Sequence, residues 1–201
     1  MAEAVRTAMS HATEALLTAD RDICETVLSR DAEVDDLQRQ VEQLVYDTLA
    51  RQAPVATDLR LVITGIQIGA DLERMGDLAE HVAKTALRRY PAPAVPPELR
   101  EVITSMGAVA DRMAGKVGLV LTTQNAELGA ELENDDDAMD HLHRQLFGIL
   151  LQKDWPHGAE MAIDGALLGR FYERYADHAV NAGQQVVYLV TGETTEPPTV
   201  G

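Results

Sequence analysis

A chain of 201 residues can bury a sizeable core, as one domain or as two packed halves of about 100 residues each. Its formal charge of −16, from 33 acidic against 17 basic residues, excludes nucleic acid and an anionic membrane leaflet as partners and suits cations or a basic protein surface. Hydrophobic residues make up 46% of the chain but aromatics only 4%, a composition for helices packed on helices rather than for sheets.

Met1–Ser10 has neither the charged nor the apolar region of a signal peptide, and no apolar run approaches the length of a membrane span. A cytoplasmic protein without membrane insertion is therefore expected. The lone cysteine, Cys24, has no partner for an internal disulfide and reads as a small buried side chain. Leu37, Val41, Leu44, Val45 and Leu49 recur at helical spacing, in a stretch that ends before Pro54. Thr57-Asp58 reads as the N-cap of a long helix running to about Arg89.

The run Tyr90-Pro91-Ala92-Pro93-Ala94-Val95-Pro96-Pro97 cannot continue that helix. Residues 91–97 are expected as a linker between a first three-helix unit, 1–90, and a second, 98–192. A helix begins again near Glu98, and Pro156 closes a later helical stretch, where Trp155 reads as a hydrophobic plug at a helix–helix turn. Residues 193–201 read as a polar tail.

The two units repeat one another. A shift of 100 residues matches Ile63, Gly65, Gly69, Glu73, Arg74, Asp77 and Ala79 to Ile163, Gly165, Gly169, Glu173, Arg174, Asp177 and Ala179. These are seven identities in 17 positions, where unrelated sequence gives about one. A shift of 105 matches Asp31, Asp35, Leu37, Arg39 and Gln40 to Asp136, Asp140, Leu142, Arg144 and Gln145. The fold expected is all-α, two tandem three-helix bundles related by an internal pseudo-twofold repeat. Under the 105 shift the first helix is short by about two turns.

Four carboxylate pairs fall at repeat-equivalent places: Asp31 with Asp35, Asp136 with Asp140, Glu73 with Asp77, and Glu173 with Asp177. Residues four apart share a helical face, so each pair sets two like charges side by side, which repel unless a cation or a basic side chain intervenes. Two such helices facing one another make an oxygen-rich setting for a hard or borderline cation. Acidic pairs at this spacing arise about five times by chance in so acidic a chain, and it is the repetition that singles out these four. A solvated or arginine-paired face remains the alternative, with Arg74 and Arg174 as the basic partners. Gly65 and Gly69, one and two turns before Glu73, suit a close approach by another backbone or simple tight packing. His141, His143 and His178 stand beside these carboxylates and read first as surface or interhelical hydrogen-bonding residues; His11 and His157 have no such context. No phosphate-binding glycine loop, Gly-x-Ser-x-Gly elbow or Cys/His dyad is present. A di-iron oxidase would need Glu-x-x-His twice, against the single near-miss Asp140-x-x-His143.

At Pro54-Val55-Ala56-Thr57-Asp58-Leu59-Arg60, Asp71-Leu72-Glu73-Arg74-Met75-Gly76-Asp77, Glu173-Arg174-Tyr175-Ala176-Asp177-His178-Ala179 and Val186-Val187-Tyr188-Leu189-Val190-Thr191-Gly192-Glu193 the chain resembles the PhoU family. These are bacterial negative regulators of phosphate uptake and phosphate-starvation signalling. The resemblance runs from about Ala4 to Gly192, and Asp154-Trp155-Pro156-His157-Gly158 looks like actinobacterial members. It implies a non-enzymatic cytoplasmic adaptor between the ATPase subunit of the phosphate ABC transporter and a membrane sensor histidine kinase, and leaves a homodimer open. It also implies metal ligands at Glu73, Asp77, Glu173 and Asp177, then at Asp31, Asp35, Asp136 and Asp140, for iron, zinc, manganese or magnesium. A metal store or carrier, and a metal-dependent hydrolase, are the alternatives from other functional classes.

Overall fold

A computed structural model describes residues 1–193; the rest of the expected polar tail, 194–201, lies outside the described residues. Six helices account for the fold: α1 (Ala2–Thr18), α2 (Arg21–Gln52), α3 (Thr57–Arg89), α4 (Pro97–Thr123), α5 (Ala126–Leu150) and α6 (Gly158–Thr191), with no strand among the described residues. The all-α expectation holds. Helices α1, α2 and α3 pack together, as do α4, α5 and α6, and the two sets meet through α1 on α4 and α3 on α6. Helix α2 touches only α1 and α3, and α5 only α4 and α6, so these two flank an inner layer of four.

The repeat is visible in the turns. Ala19 and Gln124, 105 residues apart, both close a helix in the left-handed conformation, at φ 54° and 51°. The next residues, Asp20 and Asn125, cap α2 and α5 in the same way. Asp20 Oδ1 accepts from the amides of Asp22 and Ile23, and Asn125 Oδ1 from those of Glu127 and Leu128. Helix α3 starts differently from expectation. Its cap position is Ala56, at φ 50°, without a side-chain bond, and Thr57 is already helical. The chain turning out of Pro54 closes through backbone groups, Asp58 N donating to Val55 O and Arg60 N to Ala56 O. Asp58 is left in the first turn, where the helix dipole favours its charge.

Helix α1 has 17 residues against 27 for α4, and both end at matched positions. Ten residues of α4 thus have no counterpart in α1, nearer three turns than the two expected. Beyond the reach of α1, the α2–α3 hairpin carries exposed Leu44, Tyr46, Leu49, Val55, Leu59, Leu61 and Ile63. Elsewhere one continuous core runs through both halves, and it includes Cys24 and packs against Trp155, whose Nε1 donates to Gly158 O. Two buried tyrosines of α6 cross to α1: Tyr175 Oη donates to Val5 O at 3.1 Å, and Tyr172 Oη shares a hydrogen bond with Thr13 Oγ1 at 2.7 Å. Ion pairs tie the halves as well, Arg6 to Asp111 and both Arg88 and Arg89 to the buried Asp164. No helix among the described residues is long and apolar enough to cross a membrane.

Candidate metal centre

The four carboxylate pairs gather into two acidic centres, one per half. Asp31 and Asp35 on α2 face Glu73 and Asp77 on α3; Asp136 and Asp140 on α5 face Glu173 and Asp177 on α6. In each centre the innermost groups, Asp31 with Glu73 and Asp136 with Glu173, are half-buried, while Asp35 and Asp140 reach solvent. Asp77 is half-buried and Asp177 is exposed at the rim.

Crowding carboxylates in a partly dehydrated groove raises their affinity for protons, because both burial and neighbouring negative charge oppose ionisation. Burial pushes Asp31 above the ordinary carboxylate range, with Glu80, Asp35 and Asp77 adding to it. Glu73 rises through burial and then Asp77. Glu173 likewise rises through burial and then Asp177. Asp136 is the extreme: burial, then Asp177, Asp140 and Glu173, carry it to about 7. Its Oδ1 is buried and makes no hydrogen bond, and the same is true of His143 Nε2 on the same helix.

Basic side chains answer part of this charge, and differently in the two halves. Arg74 spans Glu73 and Asp77, at 3.6 and 2.6 Å, as the sequence suggests. In the second half that place is taken by Arg170, which pairs with Glu173, rather than by Arg174. The first centre also has Glu80 and Lys84, which pair with one another one turn further along α3; Glu80 faces Asp31, and Lys84 lowers its proton affinity. Their repeat positions hold Val180 and Gln184. Sequence reasoning passed over Glu80 and Lys84, although Glu80 continues the acidic stripe seven residues after Glu73.

Oxygen donors from two facing helices, with an orphaned and partly dehydrated Oδ1 among them, suit a cation in donor type and placement. The side chains do not converge: among the described residues no three of His, Cys, Asp and Glu are grouped closely enough to hold one ion. Arg74 and Arg170 hold Glu73 and Glu173 in their present positions, so a bound ion has to compete with a guanidinium in each half.

The glycine stripe differs from expectation. A Cβ at Gly65 would meet nothing within 4 Å, and one at Gly69 only Val41 Cγ1 at 3.6 Å, so no backbone approaches there. Gly165 and Gly169 do make room, but for side chains: Leu150 and Leu99 at the first, Leu146 and His143 at the second. The close backbone approach lies instead between Gly129 and Gly183, where each Cβ would come within 2.9 Å of the other residue's carbonyl oxygen. His178 is interhelical, its Nδ1 lying 2.9 Å from Asp71 across the two halves.

A family model described as the PhoU domain matches residues 1–86 and 103–186. The chain is 44% identical over 185 residues to phosphate-specific transport system accessory protein PhoU homolog 2 of Mycobacterium tuberculosis, covering 92% of this chain and 87% of that protein. To the PhoU homolog of Synechocystis it is 37% identical over 164 residues, covering 80% and 71%. The crystal structure of PhoU from Pseudomonas aeruginosa superposes with a TM-score of 0.84 at 26% identity, covering 96% of this chain and 93% of that one. The Streptococcus pneumoniae phosphate transport regulator PhoU gives 0.78 at 25%, over 98% and 92%. The domain match falls twice along a chain whose acidic centres are themselves duplicated, and the chain belongs to the PhoU family.

Proposed function

We propose that this protein is a non-enzymatic accessory protein of phosphate uptake, a cytoplasmic negative regulator that links the phosphate transporter's ATPase subunit to a sensor histidine kinase. The observation that carries this reading is 44% identity, over 92% of the chain, to a protein named as an accessory of the phosphate-specific transport system. Two features of the molecule support an adaptor. Each half has an apolar patch at its hairpin end, with Tyr46, Leu61 and Ile63 on one and Leu151, Ile163 and Leu167 on the other. Contiguous exposed apolar side chains are the usual mark of a protein-binding surface. The remaining surface is strongly acidic and suits basic partners.

The acidic centres are read as cation sites, held by Asp31, Asp35, Glu73 and Asp77 in one half and by Asp136, Asp140, Glu173 and Asp177 in the other. A bound divalent or trivalent ion would supply positive charge between facing helices that otherwise repel. The adaptor role is tested with a phosphate-starvation reporter in phosphate-rich medium. Deleting the protein is expected to switch the reporter on, and restoring it to switch the reporter off. A reporter that stays silent in a strain lacking this protein and every related copy would refute the role. Replacing Glu73, Asp77, Glu173 and Asp177 by Gln or Asn then asks whether the carboxylates are needed for repression.

A further inference from the structure

The two acidic centres share their four carboxylates but not the groups around them. In the first, basic side chains are built in: Arg74 bridges two of the carboxylates, and Lys84 stands near Asp31. In the second, Arg174 makes no such bridge, the equivalents of Glu80 and Lys84 are Val180 and Gln184, and Arg170 holds only Glu173. What the second centre has instead is an imidazole. His143 follows Asp140 by three residues and Asp136 by seven, so all three share one face of α5. Its ring lies against α6 at Gly169, one turn before Glu173, with Cδ2 3.0 Å and Nε2 3.4 Å from where a Cβ would stand. The position equivalent to His143 in the first half is Gln38, which has no imidazole nitrogen to offer.

Both His143 Nε2 and Asp136 Oδ1 are cut off from solvent and have no hydrogen-bond partner, two turns apart on one helix. A nitrogen so placed among carboxylates forfeits its hydration without return unless something electrophilic occupies the gap. The ring does have a packing role, edge-on to Phe147 with centroids 5.0 Å apart, but that contact uses the ring and leaves Nε2 unspent.

We infer that His143 is a ligand in the second centre, making it a mixed nitrogen–oxygen site that prefers a borderline ion such as Zn(II) to Mg(II), while the first centre is oxygen-only. The inference rests on the cation reading above. Imidazole nitrogen suits zinc and its neighbours, whereas magnesium keeps to oxygen and water. Binding requires Glu173 to exchange Arg170 for the ion, so Arg170 tunes the affinity.

The test is competition titration of the metal-freed full chain with Zn(II) and with Mg(II), in the wild type, His143→Gln and Arg170→Ala. Gln is the residue the first half carries, and Arg170 is exposed, so both variants preserve packing; thermal unfolding of each checks this. His143→Gln is expected to weaken one Zn(II) site about tenfold or more and to leave Mg(II) binding nearly unchanged. Arg170→Ala is expected to tighten the same site. In the wild type, the Nε2 resonance of His143 is expected to move on Zn(II) loading, a readout that needs no variant. Zn(II) binding to His143→Gln as tight as to the wild type, or an Nε2 resonance unmoved at saturation, would overturn the inference and leave the carboxylate reading standing. A wild type that binds neither ion would overturn both.

Discussion

Burial on α5 and the charges of Asp177, Asp140 and Glu173 carry the Asp136 carboxyl to about 7, against 3.8 for an ordinary aspartate. The folded state therefore holds this proton more tightly than the unfolded chain does. Its contribution to stability is fully present below about pH 4 and is lost as pH rises through about 7. Asp31, Glu73 and Glu173 are displaced in the same direction and add to the trend. In the metal-freed protein the melting temperature is expected to fall between pH 5 and pH 8, by up to about 1 kcal/mol per pH unit at the steepest. Asp136→Asn removes the charge without changing the shape. It is expected to flatten that slope and raise the melting point at pH 8 by several degrees, at roughly 2–4 °C per kcal/mol. A variant with the wild-type slope would mean that Asp136 ionises freely in the folded state.

At the scale of helices, the repeat makes a paired comparison available. A glycine inside a helix costs about 1 kcal/mol against alanine when nothing else intervenes. Gly65 meets that condition, and Gly65→Ala is expected to raise stability by about that much in a urea titration. At the equivalent Gly169 a Cβ would stand 2.5 Å from Leu146 Cδ2 and 3.0 Å from His143 Cδ2, so Gly169→Ala is expected to destabilise by about 1–3 kcal/mol. Effects of the same sign would show that the two halves pack more alike than their side chains indicate. The sequence could not separate these two glycines, because both sit in the same Gly-x-x-x-Glu context and differ only in what the facing helix presents. The same holds for the basic partners: Arg74 and Arg174 occupy matched positions, yet Arg170 takes the second role. Helix type and repeat register were legible, since proline, heptad-like spacing and the matched pairs act locally. The start of α3 was misread by one residue, because Val55 and Ala56 carbonyls supply what Thr57 was expected to provide.

Over the whole molecule, the repeat in sequence suggests two bundles that fold separately, but the contacts between them argue for one cooperative unit. Tyr172 and Tyr175 are both fully buried and spend their hydroxyls on α1, in the other half. Asp164 on α6 is 7% exposed at its side chain and is satisfied by Arg88 and Arg89 from α3. Separating the halves would leave a buried carboxylate and two buried hydroxyls without partners while opening a continuous core, and each such group costs on the order of 1–3 kcal/mol. Neither half gains anything by staying folded alone. The protein is accordingly expected to unfold in a single calorimetric transition whose van't Hoff and calorimetric enthalpies agree. Asp164→Ala sharpens the test, because it removes the link between α3 and α6 and leaves Arg89 half-buried beside no carboxylate of that helix but Glu160. It is expected to lower that one transition by about 1–3 kcal/mol without splitting it. Two resolved transitions, in the wild type or in Asp164→Ala, would mean that the α1–α4 and α3–α6 contacts join bundles that are already stable by themselves.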